Sequence, residues 1–142
     1  MTEQEAKKVK LSKNFTLWEF LESDTAKESG LMKKQLQIPP DKIANMVQLC
    51  ANVLQPVRDK YNMAIKINSG YRCEQLNKTI GGSVNSDHMQ GKAADITCSG
   101  LQFCFSYIKD HCEFDQLIYY RDRKFIHVSY RNGNNRKKVI YK

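Results

Sequence analysis

The sequence contains no apolar run near the ~20 residues that a bilayer-crossing helix needs, and its opening stretch, MTEQEAKKVKLSK, is polar throughout. A spanning role is therefore excluded. Without a secretory leader, synthesis in the cytoplasm is the expectation. The five cysteines (Cys50, Cys73, Cys98, Cys104, Cys112) form an odd set with no C-x-x-C pair, so a disulfide framework is not expected and reduced thiols are. Internal repeats and low-complexity tracts are also lacking. Acidic residues are in deficit, 15 against 23 Lys+Arg, and the resulting charge of +8 favours polyanionic surroundings such as nucleic acid, anionic lipid or an acidic wall polymer. No recognised nucleic-acid motif accompanies the basic clusters Arg121-Asp122-Arg123-Lys124 and Arg136-Lys137-Lys138. They read as solvated faces, and no specific nucleic acid is expected as partner.

What is present fits one domain: a chain of 142 residues buries about 68–70% of its unfolded surface. Residues 1–13 read as a mobile basic leader and 14–142 as a single, monomeric domain. Thr16 to Glu19 has capping-box spacing and predicts a short helix that buries Trp18 and Phe20. Apolar positions Ile43, Met46, Val47, Cys50, Leu54 and Val57 predict the main helix over about 41–60, loosened or kinked at Pro56. From Met63 the period becomes two, and Ile65 and Ile67 predict a strand that ends at Ser69-Gly70. A short helix over 73–80, stopped by Gly81-Gly82, is followed by a strand at 93–97 and a helix carrying Leu101, Cys104, Phe105 and Ile108. Phe114–Tyr120 and Phe125–Tyr130 read as a hairpin with a charged turn, and Val139–Tyr141 as an edge strand. Helices first and hairpin strands later imply an α+β fold, an antiparallel sheet with flanking helices.

The chemistry concentrates in three side chains. His88 and Asp95 lie in SDHMQGKAADI and His127 in FIHVSY, a type set that fits a catalytic zinc with its fourth position left to water. Gly91 permits a tight return between His88 and the strand bearing Asp95. By the two-residue repeat His127 shares a face with Phe125 and Ser129, while Ile126 and Val128 face the other way. Taken alone, a strand histidine is usually just hydrogen-bonded and an Asp near a turn usually caps it. Together they read differently, because Asp95 in an apolar strand would be a costly buried charge unless a cation pairs with it. His111, beside Asp110 at a helix end, is explained by the helix dipole. Cys73 lacks a partner histidine, so a cysteine nucleophile is disfavoured.

SGYRCEQLN at 69–77, SDHMQGKAADIT at 86–97, and FDQLIYY with FIHVSY resemble the M15 zinc D-Ala-D-Ala peptidases, most of all their small phage-type and bacterial members. The zinc-site pattern is also similar to the hedgehog signalling domain. The resemblance implies a hedgehog/DD-peptidase-like fold, one Zn2+ held by His88, Asp95 and His127, and a peptidoglycan stem-peptide substrate cut as a carboxypeptidase or endopeptidase would cut it. It also implies Arg72 as a substrate-binding and catalytic cation and Ser86 as a support or substrate contact. Ser129 would brace the ligands from behind, and Asp115 would either brace a ligand imidazole or serve in turn or strand pairing. The pattern departs at the general base: the family places an acidic residue shortly before the last histidine, and here only Asp122 is acidic, between two arginines. Asp122 stands as candidate base and Tyr120 as a donor to the tetrahedral intermediate. Endolysin-like action on the wall, after lysis or delivery in a virion, is the expectation. The alternative is a catalytically silent, zinc-containing wall-binding or structural module.

Overall fold

The computed structural model describes residues 1–142. The chain opens with α1 (Glu3–Lys8), whose N-terminus is closed by a capping box between Thr2 and Glu5. It continues into β1 (Lys10–Ser12), paired antiparallel with β2 (Phe15–Thr16). The expectation of a mobile leader is thus corrected: Ala6 is fully buried and Leu11 nearly so, because the apolar side of this segment packs into the main core. Glu19 reaches back to the Thr16 N–H at 2.7 Å and starts α2 (Leu17–Leu21), which buries Leu17, Phe20 and Leu21. Two short helices follow, α3 (Asp24–Glu28) and α4 (Met32–Gln35).

The predicted long helix is α5 (Pro40–Leu49), a π-helical turn (Cys50–Leu54) and α6 (Gln55–Tyr61) in unbroken succession. Pro56 disturbs the helix one turn earlier than the sequence suggests. The widened turn contains Asn52, four residues before Pro56, whose carbonyl the ring would press on in a regular helix. The rod buries Met46, Leu49, Cys50, Val53, Leu54 and Val57, each large apolar side chain contributing about 1.5–3 kcal/mol.

Strand β3 (Lys66–Ser69) leads to α7 (Glu74–Ile80), which stops at Gly81 in the left-handed region, φ 83°. A 3-10 turn (Asp87–Gln90) precedes β4 (Ala93–Thr97), then come α8 (Leu101–His111), β5 (Gln116–Tyr120), β6 (Phe125–Ser129) and β7 (Lys138–Tyr141). The five-stranded sheet has the order β3-β4-β6-β5-β7. Every pair is antiparallel except β5 with β7, which run parallel. The α+β architecture with flanking helices is therefore as expected, with one parallel edge.

Alternation along the strands sorts the two faces of the sheet. Ala94, Ile96, Leu117, Ile126 and Val128 point to one side and are fully buried, against a core that includes Cys104 and Ile108 of α8. The opposite side carries Asp95 directly across from His127, with Ser69 beside Asp95 on β3 and Ile118 beside His127 on β5. A slip of one residue in the β4–β6 register would put Asp95 and His127 on opposite faces and turn one of them into the apolar core, so the hydrophobic face also fixes the chemical one.

Candidate metal centre

Two histidines and a carboxylate converge on that second face. The ligand atoms of His88, Asp95 and His127 all lie within 4.8 Å of one another. Asp95 and His127 arrive by strand register, His88 by the 3-10 turn. That turn is held in three ways: the Ser86 hydroxyl accepts from the His88 N–H at 3.2 Å, Asn45 on α5 donates to the Gln90 carbonyl at 2.8 Å, and the Arg72 N–H donates to the His88 carbonyl at 3.1 Å. Gly91 closes it at φ 71°, and a Cβ there would collide with the Lys42 carbonyl, so no other residue fits without displacing α5.

Proton placement gives the chemistry. The His88 Nδ1 is 2.7 Å from the Gly70 carbonyl, which can only accept, so Nδ1 carries the hydrogen and Nε2 is left with its lone pair. That Nε2 faces Asp95 Oδ1 at 3.4 Å, with His88 only 4% exposed in its side chain. Two acceptors confronting each other in a buried place are an unfavourable pair, and a shared cation removes the conflict. His127 approaches through Nδ1, 2.9 Å from the same Asp95 oxygen. Burial by itself would raise the Asp95 carboxyl; the hydrogen bond from His127, with the nearness of His88, outweighs it and holds the group well below the usual carboxylate range. An ionised carboxylate and two imidazoles of fixed direction are a donor set suited to zinc.

Arg72 stands next to this cluster, its NH2 3.6 Å from Asp95 Oδ2. Its Nε donates to the Ser69 hydroxyl at 3.1 Å and its NH1 to Asn77 Oδ1 at 3.3 Å, so the fork is aimed rather than free. Burial lowers the guanidinium, opposed by Asp95, yet an arginine remains charged. Asp95 and Arg72 line a cavity of about 330 Å³ together with Glu22, Asp24, Thr25, Arg123 and Phe125, among others. A larger cavity, about 840 Å³, holds none of the three converging residues; Phe105, Tyr119, Arg121 and Lys124 are among its lining.

A family model described as Peptidase M15 matches residues 13–129. The chain belongs to the M15 peptidases. The family is one of zinc peptidases, and its match covers every element that carries the cluster. A search of curated proteins finds no match to this chain.

Within this M15 peptidase the other expected residues divide. Ser86 sits beside His88 as its turn's cap. Tyr120 lies on the cluster's face of β5, opposite Phe125 and stacked on its ring at 4.4 Å. Asp115 does not brace a ligand imidazole. It is fully buried and accepts from Arg136 through the backbone N–H, Nε and NH2 at 3.1, 3.0 and 2.8 Å, with Arg131 Nε at 3.4 Å. Arg131 in turn contacts Asp87 at 3.4 Å, the neighbour of His88. Ser129 likewise touches no ligand; its hydroxyl accepts from the Gln116 N–H at 3.1 Å and locks β5 to β6. Asp122 is exposed in the β5–β6 turn and makes no ion pair or side-chain hydrogen bond. Sequence reasoning missed the Arg136–Asp115–Arg131–Asp87 chain because its members are scattered among residues that look like solvated charge. It also missed Asn77 and the cavity wall from Glu22 to Thr25.

Proposed function

We propose that the protein is a zinc-dependent peptidase that hydrolyses stem peptides of peptidoglycan, as a D-Ala-D-Ala carboxypeptidase or an endopeptidase. The observation that carries this reading is the meeting of His88 Nε2, Asp95 Oδ1 and His127 Nδ1 beside the aimed guanidinium of Arg72. His88, Asp95 and His127 would hold the ion, which when bound supplies Lewis acidity toward the scissile amide and a nucleophile at neutral pH. The chain's own part is geometric and electrostatic. Arg72, braced by Ser69 and Asn77, presents two parallel donors to a substrate carboxylate or to the oxygen that gains charge. Tyr120 offers a hydroxyl from the same sheet face, and Ser86 keeps the His88 turn closed. The cavity between α3 and the sheet accommodates the residues flanking the cut bond.

A second reading has one observation in its favour. The sole acidic candidate near the position where the family keeps its base, Asp122, is solvent-exposed and unengaged. A metal-bearing wall-binding module without turnover would be built this way. Mass spectrometry of defined muropeptides incubated with zinc-loaded protein, with His127→Ala as blank, separates the two. A product identifies the bond, whereas retained zinc and intact substrate identify the silent module. The wall as site of action, and delivery by lysis or in a virion, belong to the same proposal.

A further inference from the structure

Gln35 is a fully buried amide at the end of α4 whose two amide hydrogens and carbonyl oxygen all find backbone partners. Its Nε2 donates to the Leu21 and Tyr71 carbonyls, both at 2.9 Å, and its Oε1 accepts from the Cys73 N–H at 2.7 Å. Tyr71 and Cys73 flank Arg72, so one side chain staples the backbone on either side of the guanidinium-bearing residue. The same turn is pressed onto α2: the Tyr71 N–H donates to the Phe20 carbonyl at 2.8 Å, and a Cβ on Gly70 would lie 2.7 Å from the Phe20 Cα. From this turn the Gly70 carbonyl fixes the His88 ring and the Arg72 N–H holds the His88 carbonyl.

We infer that Gln35 is a positioning residue that sets the direction of Arg72 and the tautomer of His88 through the Gly70–Cys73 turn. A buried polar side chain that merely satisfied itself would not need to grip both neighbours of a functional cation. Misplacement of such groups by an ångström costs about a hundredfold in rate even when nothing touching the substrate changes. The turnover part of this inference rests on the peptidase reading; the structural part does not.

The test compares zinc-loaded full-length wild type with Gln35→Met, which keeps the volume and removes all three hydrogen bonds, and Gln35→Glu. In the latter the introduced carboxyl, buried against two carbonyls, is held protonated at low pH, donates one bond and still accepts from Cys73. Amide exchange at Arg72 and Cys73 should accelerate at least about tenfold relative to α5 amides in Gln35→Met. The His88 Nδ1–H resonance should broaden, and kcat/KM should fall about a hundredfold with one zinc retained per chain. Gln35→Glu should recover most of these properties and lose them as rising pH ionises the carboxyl, the Gly70–Cys73 amides loosening before those of α5. Uniform acceleration across α5 and the turn, or an unchanged turn with unchanged turnover, overturns the inference. Should Gln35→Met not fold, the pH course of Gln35→Glu decides alone. If wild type cleaves no peptide, the peptidase reading fails while the exchange and resonance measurements still judge Gln35.

Discussion

Two turns border the candidate centre and are built on opposite plans. In Gly70–Cys73 every residue has a backbone partner: Gly70 with His88, Tyr71 with Phe20 and Gln35, Arg72 with His88, Cys73 with Gln35. In Arg121–Lys124 all four residues are exposed, Lys124 is held at φ 54°, and the ties are the Arg121 N–H to the Lys142 carbonyl and the Thr97 hydroxyl to the Lys124 carbonyl. The first turn is fixed from several layers of the fold and carries the group aimed at the cluster. The second carries Asp122, the one acid in the stretch before His127, and leaves it in water. The converging groups are thus fixed by the packing, while the acid of the second turn is not.

The greatest effect should come from the anchored side. His88→Ala or His127→Ala should abolish stoichiometric zinc by elemental analysis, since two protein ligands rarely retain the ion. Chelation should lower the wild-type melting temperature, because zinc at a hundredfold over its Kd stabilises by about 2.7 kcal/mol, and should leave the His127→Ala melt unmoved. Full zinc occupancy in both variants would dismantle the ligand assignment. Next, Arg72→Ala should reduce kcat/KM by about 10²–10³ with zinc content unchanged. Arg72→Lys should restore little, since an ammonium cannot present a planar fork; equal activity in the two arginine variants and wild type would make the first turn no more functional than the second.

Further from the cluster, Asp115→Ala should cost about 1.5–3 kcal/mol in denaturant unfolding, the range for hydrogen bonds to a charged group. Its pH course has a definite sign. Hydrogen bonds from Arg136 hold the Asp115 carboxyl below its ordinary value, so the unfolded chain binds the proton more readily and this stabilisation is complete above about pH 4. It is lost as acid carries the pH down through the folded value, and the gap between wild type and Asp115→Asn should close there. A gap that widens in acid would contradict the pairing. The smallest effect belongs to the exposed turn: Asp122→Asn should change stability by no more than about 0.5 kcal/mol and kcat/KM by about twofold. A hundredfold loss would promote Asp122 to a working base and erase the contrast between the turns.

Much of this was readable in the chain. The 93–97 strand, the 114–130 hairpin and the 101–111 helix follow from apolar periodicity, and the same periodicity places Asp95 and His127 on one face. His88 is legible as one of only three histidines in the chain, set in SDHMQGKAADI with Gly91 to close its turn. What escaped reading depends on partners distant in sequence. Gln35, following Lys33 and Lys34, looks like surface helix, and only the return of residues 71–73 to it, 36 and 38 positions on, reveals its work. Residues 1–13 look solvated until the burial of Ala6 and Leu11 is seen. The partner of Asp115 is not legible, because Arg136 reaches it from beyond β6, across a loop with no periodic signal.

The thiols have a practical consequence. Cys50, Cys73, Cys104 and Cys112 are buried, and burial pushes the Cys104 thiol up to about 12 and that of Cys112 to about 11, whereas Cys98 is partly open. A maleimide dye should therefore single out Cys98, just past the end of β4 and three residues, roughly 10 Å, from Asp95. Cobalt or copper entering the centre would quench that dye, giving an optical titration of metal uptake without mutating any residue.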